Sequence, residues 1–178
     1  CQNALEAGSL SAAEQAAKLA EIASLANRCG EIIRRLRMFA TNREMKRSIV
    51  NLAEVVRASI ALLSHELRKS ETRCLVQLCT EPLLVSADSI QLQQVFLNVI
   101  KNAMEAQEHL EPGSRRIEVT GSVHNHQILV AVRDFGCGMQ ADQRKRIFEP
   151  FFTTKPTGLG MGLKICQTII RTHGGEIT

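Results

Sequence analysis

Three groups of residues in this sequence have types and spacings suited to chemistry. The first lies in "SIQLQQVFLNVIKNAMEAQ". Gln94, Asn98 and Asn102 are four residues apart, so on a helix they stack along one side. Gln91, Lys101 and Glu105 complete that polar sector. Asn is a mediocre helix former and belongs at helix ends rather than in the middle. Two mid-helix Asn residues therefore suggest a use for their amide groups, although a merely wet helix face would also hold them. The second group lies in "QILVAVRDFGCGM". Ile128, Val130, Val132 and Asp134 point the same way on a strand, so a carboxylate is aimed at the apolar side at the strand end. A carboxylate there needs a donor. Gly136 and Gly138 would let a backbone turn come close to a flat or bulky ligand. The same Asp-x-Gly pattern suits an Asp that caps its own turn. The third group is "KPTGLGMGLKICQTII". Gly158, Gly160 and Gly162 lead into a helix striped by Leu163, Cys166, Ile169 and Ile170. Backbone N–H groups at a helix N-terminus reached through glycines form an anion site, and Lys155 supplies a nearby charge for phosphate. A plain flexible glycine loop is the alternative.

These groups need elements to position them. Asp88 is an N-cap for a helix over about 88–108, with Leu92, Val95, Phe96, Val99, Ala103 and Ala106 as its apolar face and Leu97, Ile100 and Met104 extending it. "EPGS" at 111–114 is a turn. Two strands, "RRIEVTGSV" and "QILVAVRD", follow, then a glycine-rich loop and a helix over about 160–172. Upstream, a helix over about 52–68 precedes a strand near 73–79, which Pro82 ends. The order βαββα predicts an α/β (α+β) sandwich, a mixed sheet with helices on one face. Before it comes a long helix over 11 to about 41. Leu19, Ile22, Ala26, Cys29, Ile33, Leu36 and Ala40 recur at 3-4 spacing, with Leu25, Ile32 and Phe39 widening the stripe. So broad and long a stripe suggests a helical bundle with a second chain, although a helix packed on its own domain would also show one. "NREMKRS" at 42–48 reads as a linker.

Composition excludes several classes. The chain has 178 residues, 44% hydrophobic and 22% charged, enough for a real core and too evenly mixed for wholesale disorder. It has no Trp and no Tyr, and its net charge of +4 forms no dense Lys/Arg cluster, so nucleic acid is not an expected partner. The six cysteines form no C-x-x-C pair and several sit in apolar runs, which suits reduced thiols in a cytosolic protein. No apolar run reaches the ~18 residues of a membrane span. "DFG" does not make a eukaryotic-type protein kinase, because its glycines follow the motif and no H-R-D loop precedes it. A dinucleotide fold fits poorly too, since "FFTTKPT" is not a buried parallel strand and only 16 residues follow Gly162, too few for the acidic partner expected ~20 residues on.

Taken together, the segments resemble the ATP-binding catalytic domain of bacterial sensor histidine kinases, of the type shared with gyrase and chaperone ATPases. "NVIKNAMEA" is similar to their N box, "DFGCGM" to their first glycine box, "FEPFF" to their F box and "GLGMGL" to their second glycine box, in family order. The resemblance covers about 48–178. Residues 11–41, with "GEIIRRLRMF", resemble the second helix of the dimerisation hairpin in the subgroup of oxygen and dicarboxylate sensors. This implies two domains: 1–47, part of the dimerisation and histidine-phosphotransfer hairpin, and 48–178, the catalytic domain without its last strand.

The resemblance implies Mg-ATP as the bound species. Asp134 would accept from the adenine amino group, and Gly136 and Gly138 would shape the adenine floor. Asn102 would coordinate Mg²⁺, with Asn98 assisting at the phosphates. Lys155 and the backbone around Gly158, Gly160, Met161, Gly162 and Leu163 would hold the phosphates. Phe148, Phe151 and Phe152 would anchor a lid over about 140–160. Many members carry a lysine shortly after the second N-box Asn; here the run is Asn102-Ala-Met-Glu-Ala.

The implied activity is transfer of the γ-phosphoryl to a histidine, then relay to an aspartate of a response-regulator receiver domain, with a homodimer formed through the hairpin. His65, in "SHELRKSET", imitates a phosphoacceptor. It lies after the second hairpin helix and roughly 180° from the Leu52, Val56, Ile60, Leu63, Leu67 face, so the acceptor is expected upstream of Cys1. The chain starts without Met and ends on "HGGEIT", the start of a strand, so a fragment of a longer protein is expected. The segment itself would be cytoplasmic with no direct membrane contact, in a parent that could carry an inner-membrane anchor. Two other readings stay open. One is an ATPase of the same fold that hydrolyses ATP, which would want a Glu where Asn98 stands. The other is a non-catalytic binding module.

Overall fold

The computed structural model describes residues 14–23, 30, 46–155 and 158–178. The chain divides into two compact units, Cys1–Arg43 and Glu44–Thr178. In the first, residues 14–23 and 30 are helical; the rest of the helix expected over 11–41 and most of the expected linker lie outside the described residues.

The second unit runs β1 (Ser48–Asn51), α1 (Leu52–Leu62), α2 (Ser64–Lys69), β2 (Arg73–Leu78), β3 (Leu84–Ala87), α3 (Ser89–Glu105), β4 (Arg116–His124), β5 (Gln127–Asp134), α4 (Ala141–Arg146) and α5 (Gly162–Thr172). β2 pairs parallel with β4, and β4 antiparallel with β5, so this three-stranded sheet is mixed as expected. β1 and β3 form a separate antiparallel pair, with Ser48 opposite Ala87. Sequence reading had placed no strand at β1 or β3 and no helix at α4. It had also run α1 and α2 together. They part at Leu63, whose φ of −89° and ψ of 4° leave the helical region.

One face of the sheet is buried under helices. Ile117 and Val119 of β4 are fully buried, while Thr120, Ala131 and Arg133 on the other face are exposed. The alternation has the two-residue period of a sheet with one covered side. The main core joins Val55 and Val56 of α1, Leu83, and Leu92, Phe96, Ile100 and Ala103 of α3 to those strands. A second cluster joins Val95 of α3 to Met161, Ile165, Cys166 and Ile169. α3 thus buries two adjoining strips, one on the sheet and one on α5, and keeps only a narrow polar edge.

Polar ties fix α3 at both ends. At its start Asp88 is buried, and its Oδ1 accepts from Ile90 N–H at 3.0 Å and Gln91 N–H at 3.2 Å. Its Oδ2 accepts from Lys46 N–H at 3.3 Å. Its own N–H donates to Nε2 of His173, at the end of α5, at 2.9 Å. His173 Nδ1 faces the carbonyl of Ile169 at 2.8 Å. A carbonyl can only accept, so the proton sits on Nδ1 and Nε2 keeps a lone pair for Asp88. Beyond the other end of α3, buried Gln107 donates to Ala103 C=O at 2.9 Å and accepts from Arg116 N–H at 2.7 Å, joining the helix to the start of β4.

Asp88→Ala removes three acceptor contacts at a buried helix start. Loss of the cap alone destabilises by about 1–2 kcal/mol, so the midpoint of urea unfolding followed by helical circular dichroism is expected to fall clearly. An unchanged midpoint would show that the cap contributes nothing.

Candidate functional site

The polar edge of α3 is the shared wall of the site. Asn98 and Asn102 are both half-buried on it, one turn apart. Each meets a different element.

Asn98 meets the start of α5. A Cβ added to Gly162 would lie 2.8 Å from both amide atoms of Asn98, tighter than real Cβ contacts. Glycine lets the helix start come this close without displacing the Asn98 side chain. Asn98 Nδ2–H donates to Cys166 Sγ at 3.1 Å, which leaves Oδ1 with no partner among the described residues. Cys166 is fully buried, and its thiol in turn faces Val95 C=O at 3.9 Å. Burial pushes that thiol up to about 11, against the smaller lowering effect of the Asn98 hydrogen bond.

Asn102 meets Lys155. The ammonium donates to Asn102 Oδ1 at 3.3 Å and is ion-paired with Glu105, three residues on along the same edge. The backbone of Lys155 is pinned on both sides. Its N–H donates to Thr153 Oγ1 at 3.1 Å, and its carbonyl accepts from Gly158 N–H at 3.2 Å. Glu105 and Cys166 are neighbours of the site that sequence reading placed only in a polar sector and an apolar stripe, with no part in the site. The i, i+3 spacing from Asn102 to Glu105 was the available signal for one. For Cys166 no local signal existed.

Asp134 arrives at the far end of α3. The loop after β5 docks on the helix end through Cys137 N–H, which donates to Ala106 C=O at 3.2 Å. A Cβ on Gly136 would collide with that same carbonyl, so glycine is required there by close approach. Asp134 is half-buried. Its Oδ1 accepts from Gly136 N–H at 3.0 Å, and Oδ2 has no partner among the described residues. The two uses considered for this carboxylate are therefore compatible. One oxygen closes the Asp-x-Gly turn, and the other is available to a donor.

The remaining predicted residues divide. Gly160 has φ +65°, and a Cβ there would strike the backbone of Phe151 and Phe152. Met161 buries its side chain in the α5 cluster, so only its backbone can face a ligand. Leu163 is half-buried in the first turn of α5. Gly138 has φ +68°, is exposed, and has no neighbour that a Cβ would meet. Of the three lid phenylalanines, Phe152 stacks on Arg146 at 4.4 Å, Phe148 is half-buried and Phe151 is exposed, with φ +66°. His65 is exposed on α2. Among the described residues no group of three His, Cys, Asp or Glu is placed to hold a metal ion. Amide oxygens are a different ligand class, and Mg²⁺ takes oxygen ligands sparingly while keeping several waters. Asn102 Oδ1 already faces a cation, so the donor present is compatible with that ion.

The sequence signature described as histidine kinase-, DNA gyrase B- and HSP90-like ATPase spans residues 87–178, more than half of the chain. The chain belongs to this ATPase family. Its relatives are sensor kinases. Sensor protein TdiS of Thauera aromatica is 37% identical over 154 residues, 85% of this chain and 28% of TdiS. Sensor protein FixL of Bradyrhizobium diazoefficiens is 37% identical over 156 residues, 87% of this chain and 30% of FixL. The chain thus spans less than a third of these relatives. Among solved structures, the nucleotide-free catalytic domain of histidine kinase ThkA is 32% identical with a TM-score of 0.65, covering 72% of this chain and 82% of that one. ThkA in complex with response regulator TrrA gives 27%, 0.68, 88% and 43%. Full-length ShkA with AMPPNP gives 25%, 0.71, 93% and 35%.

Gly136→Ala is expected to lower stability by about 1–3 kcal/mol, the usual cost of overpacking, read as a drop in the urea midpoint; an unchanged midpoint would mean that the loop yields freely. Cys166 generates a pH prediction. Its folded pKa lies above the ordinary 9.0, so the neutral thiol's contribution is fully present below about pH 9 and is lost as pH rises toward 11. Stability of the wild type should therefore fall more steeply than that of Cys166→Ala between those values; parallel curves would place the titration elsewhere.

Proposed function

We propose that residues 48–178 are the ATP-binding catalytic domain of a sensor histidine kinase and that residues 1–47 are part of its dimerisation hairpin. One observation carries this reading. A single helix edge presents Asn98 Oδ1, without a partner among the described residues, and cation-facing Asn102 Oδ1 beside the glycine-led start of α5, while an oxygen of Asp134 that likewise has no described partner stands at its end.

In this reading Asp134 Oδ2 accepts from the exocyclic amine of adenine, with the turn at Gly136 and Gly138 as the floor. The carboxylate would repel the carbonyl that guanine carries at the same place, which favours ATP. Lys155 and the backbone of Gly158, Gly160, Met161, Gly162 and Leu163 hold the phosphates, where N–H groups and the helix dipole favour negative charge. Bound Mg²⁺, held by Asn102, supplies charge neutralisation along the phosphate tail. Asn98 orients groups at the phosphates but takes no proton, which favours transfer to an acceptor over hydrolysis. The chain's own contribution is positioning and electrostatics, the main resources of phosphoryl transfer.

The acceptor in this reading is a histidine upstream of Cys1, not His65, which lies exposed on a short helix. The phosphoryl group then passes to an aspartate of a response-regulator receiver domain; the ThkA–TrrA complex supports a partner of that kind. Leu19 and Ile22, on the stripe predicted for the bundle, are exposed in the single chain, which supports homodimer formation. No described helix is long and apolar enough to cross a membrane. The reading places this segment in the cytoplasm, with an inner-membrane anchor allowed for the parent.

Calorimetric titration with ATP, with and without Mg²⁺, tests it. Wild type should bind saturably. Asp134→Asn exchanges an acceptor for a donor and should weaken binding by about 10- to 100-fold, the range for a hydrogen bond to a charged group. Asn102→Ala should remove most of the difference between the two conditions. No saturable binding by wild type, or unchanged binding by Asp134→Asn, would defeat the assignment.

A further inference from the structure

We propose that Glu105 is a built-in competitor for Lys155 and thereby sets how tightly the chain holds the phosphate tail of its nucleotide. The inference rests on the nucleotide reading above and assigns a role to a residue that reading leaves idle.

Lys155 approaches α3 with its backbone fixed at Thr153 Oγ1 and Gly158 N–H, so its side chain starts from a set place. The ammonium has three N–H donors. Asn102 Oδ1 takes one at 3.3 Å and the Glu105 carboxylate takes another. Both side chains of the ion pair are partly open to solvent, at 38% for Lys155 and 45% for Glu105. The pair is therefore screened and breakable, unlike a buried one.

Polyphosphate arriving at the start of α5 brings a second anion to the same ammonium. Phosphate and the Glu105 carboxylate repel each other, and Lys155 satisfies one fully only by loosening its hold on the other. A divalent cation at Asn102 Oδ1 opposes the ammonium there as well. Part of the attraction between Lys155 and phosphate is thus spent on parting Lys155 from Glu105. A ligand without phosphates leaves the pair intact and feels none of this. Once the tail shortens or leaves, Glu105 recaptures Lys155, which speeds nucleotide exchange.

Glu105→Gln keeps the shape and removes the charge. Titrated with Mg-ATP, this variant should bind about 2- to 5-fold more tightly than wild type, the range set by a partly exposed ion pair. Its affinity for adenosine should be unchanged, and the gain should vanish in a Lys155→Met background. Equal or weaker Mg-ATP binding by Glu105→Gln, or a gain that persists with Lys155→Met, overturns the proposal. Amide hydrogen exchange without nucleotide separates this outcome from failure of the site itself. Glu105→Gln should exchange faster across 151–155 and 158–160 than wild type, whether or not ATP binds. Unchanged exchange there would show that Glu105 does not restrain Lys155, even if the nucleotide assignment stands.

Discussion

The backbone of two loops must come within contact distance of one helix, and the rest of the site depends on that closeness. At the end of α3 the carbonyl of Ala106 receives Cys137 N–H, and any side chain at Gly136 would collide with it. Two turns earlier, Gly162 touches the Asn98 amide in the same way. These approaches bring a strand end and a helix start, which are distant in sequence, to the same polar edge. A Cβ at Gly136 would drive the loop that carries the carboxylate off the helix backbone, while one at Gly162 would have to displace the Asn98 side chain. The chemistry is therefore built on the absence of two Cβ atoms as much as on the charged groups themselves.

That edge is narrow because α3 is needed on two other sides. Leu92, Phe96, Ile100 and Ala103 hold it on the sheet, and Val95 holds it on α5. Burial of several large apolar side chains, each contributing roughly 1.5–3 kcal/mol, fixes the rotation of the helix. Asn98, Asn102 and Glu105 then have no freedom to turn away. The functional groups are half-exposed and contribute little to stability, while their placement is enforced by groups that do no chemistry. This division permits a competing pair such as Lys155 and Glu105. Its weakness leaves the fold untouched.

Much of this was legible in the sequence, for physical reasons that also mark the limit. α3 was readable because its apolar and polar residues follow the helical period over many turns, and Asp88 announces its start. β4 and β5 were readable from two-residue alternation. β1 and β3 were not. Each has four residues, and their partnership, Ser48 with Ala87 and Asn51 with Leu84, joins segments far apart in the chain. α4 is six mostly polar residues with nothing buried, so it carries no period to detect. The helix break at Leu63 falls at a buried apolar residue that fits the face on either side. In the site, Asn98, Asn102 and Asp134 stood out because their types conflict with their places, amides in mid-helix and a carboxylate in an apolar register. Glu105 did not stand out, since an acid on a polar helix face is ordinary. Its meaning comes from Lys155, fifty positions later. Sequence reading also set the turn-capping Asp against the ligand-facing Asp as rivals, whereas a carboxylate has two oxygens: Asp134 closes the turn with one, and the other has no partner among the described residues.

The pairing of α3 with α5 explains how the helix start stays beside Asn98 without a cap of its own; Met161 offers no side-chain hydrogen bond to it. α5 is held at both ends against the same partner. At its start, Gly162 abuts Asn98 and Cys166 accepts from it. At its end, His173 accepts from Asp88 N–H with a ring whose tautomer Ile169 dictates. Between them Ile165 and Ile169 fill the interface with Val95. Two polar ties flanking an apolar strip resist both sliding and rotation, since either motion breaks a hydrogen bond while exposing apolar area. Among the described residues no side chain caps the N–H groups at the start of α5, and open N–H groups are the condition for an anion site. An ordinary N-cap would have filled it with a side chain of the chain itself.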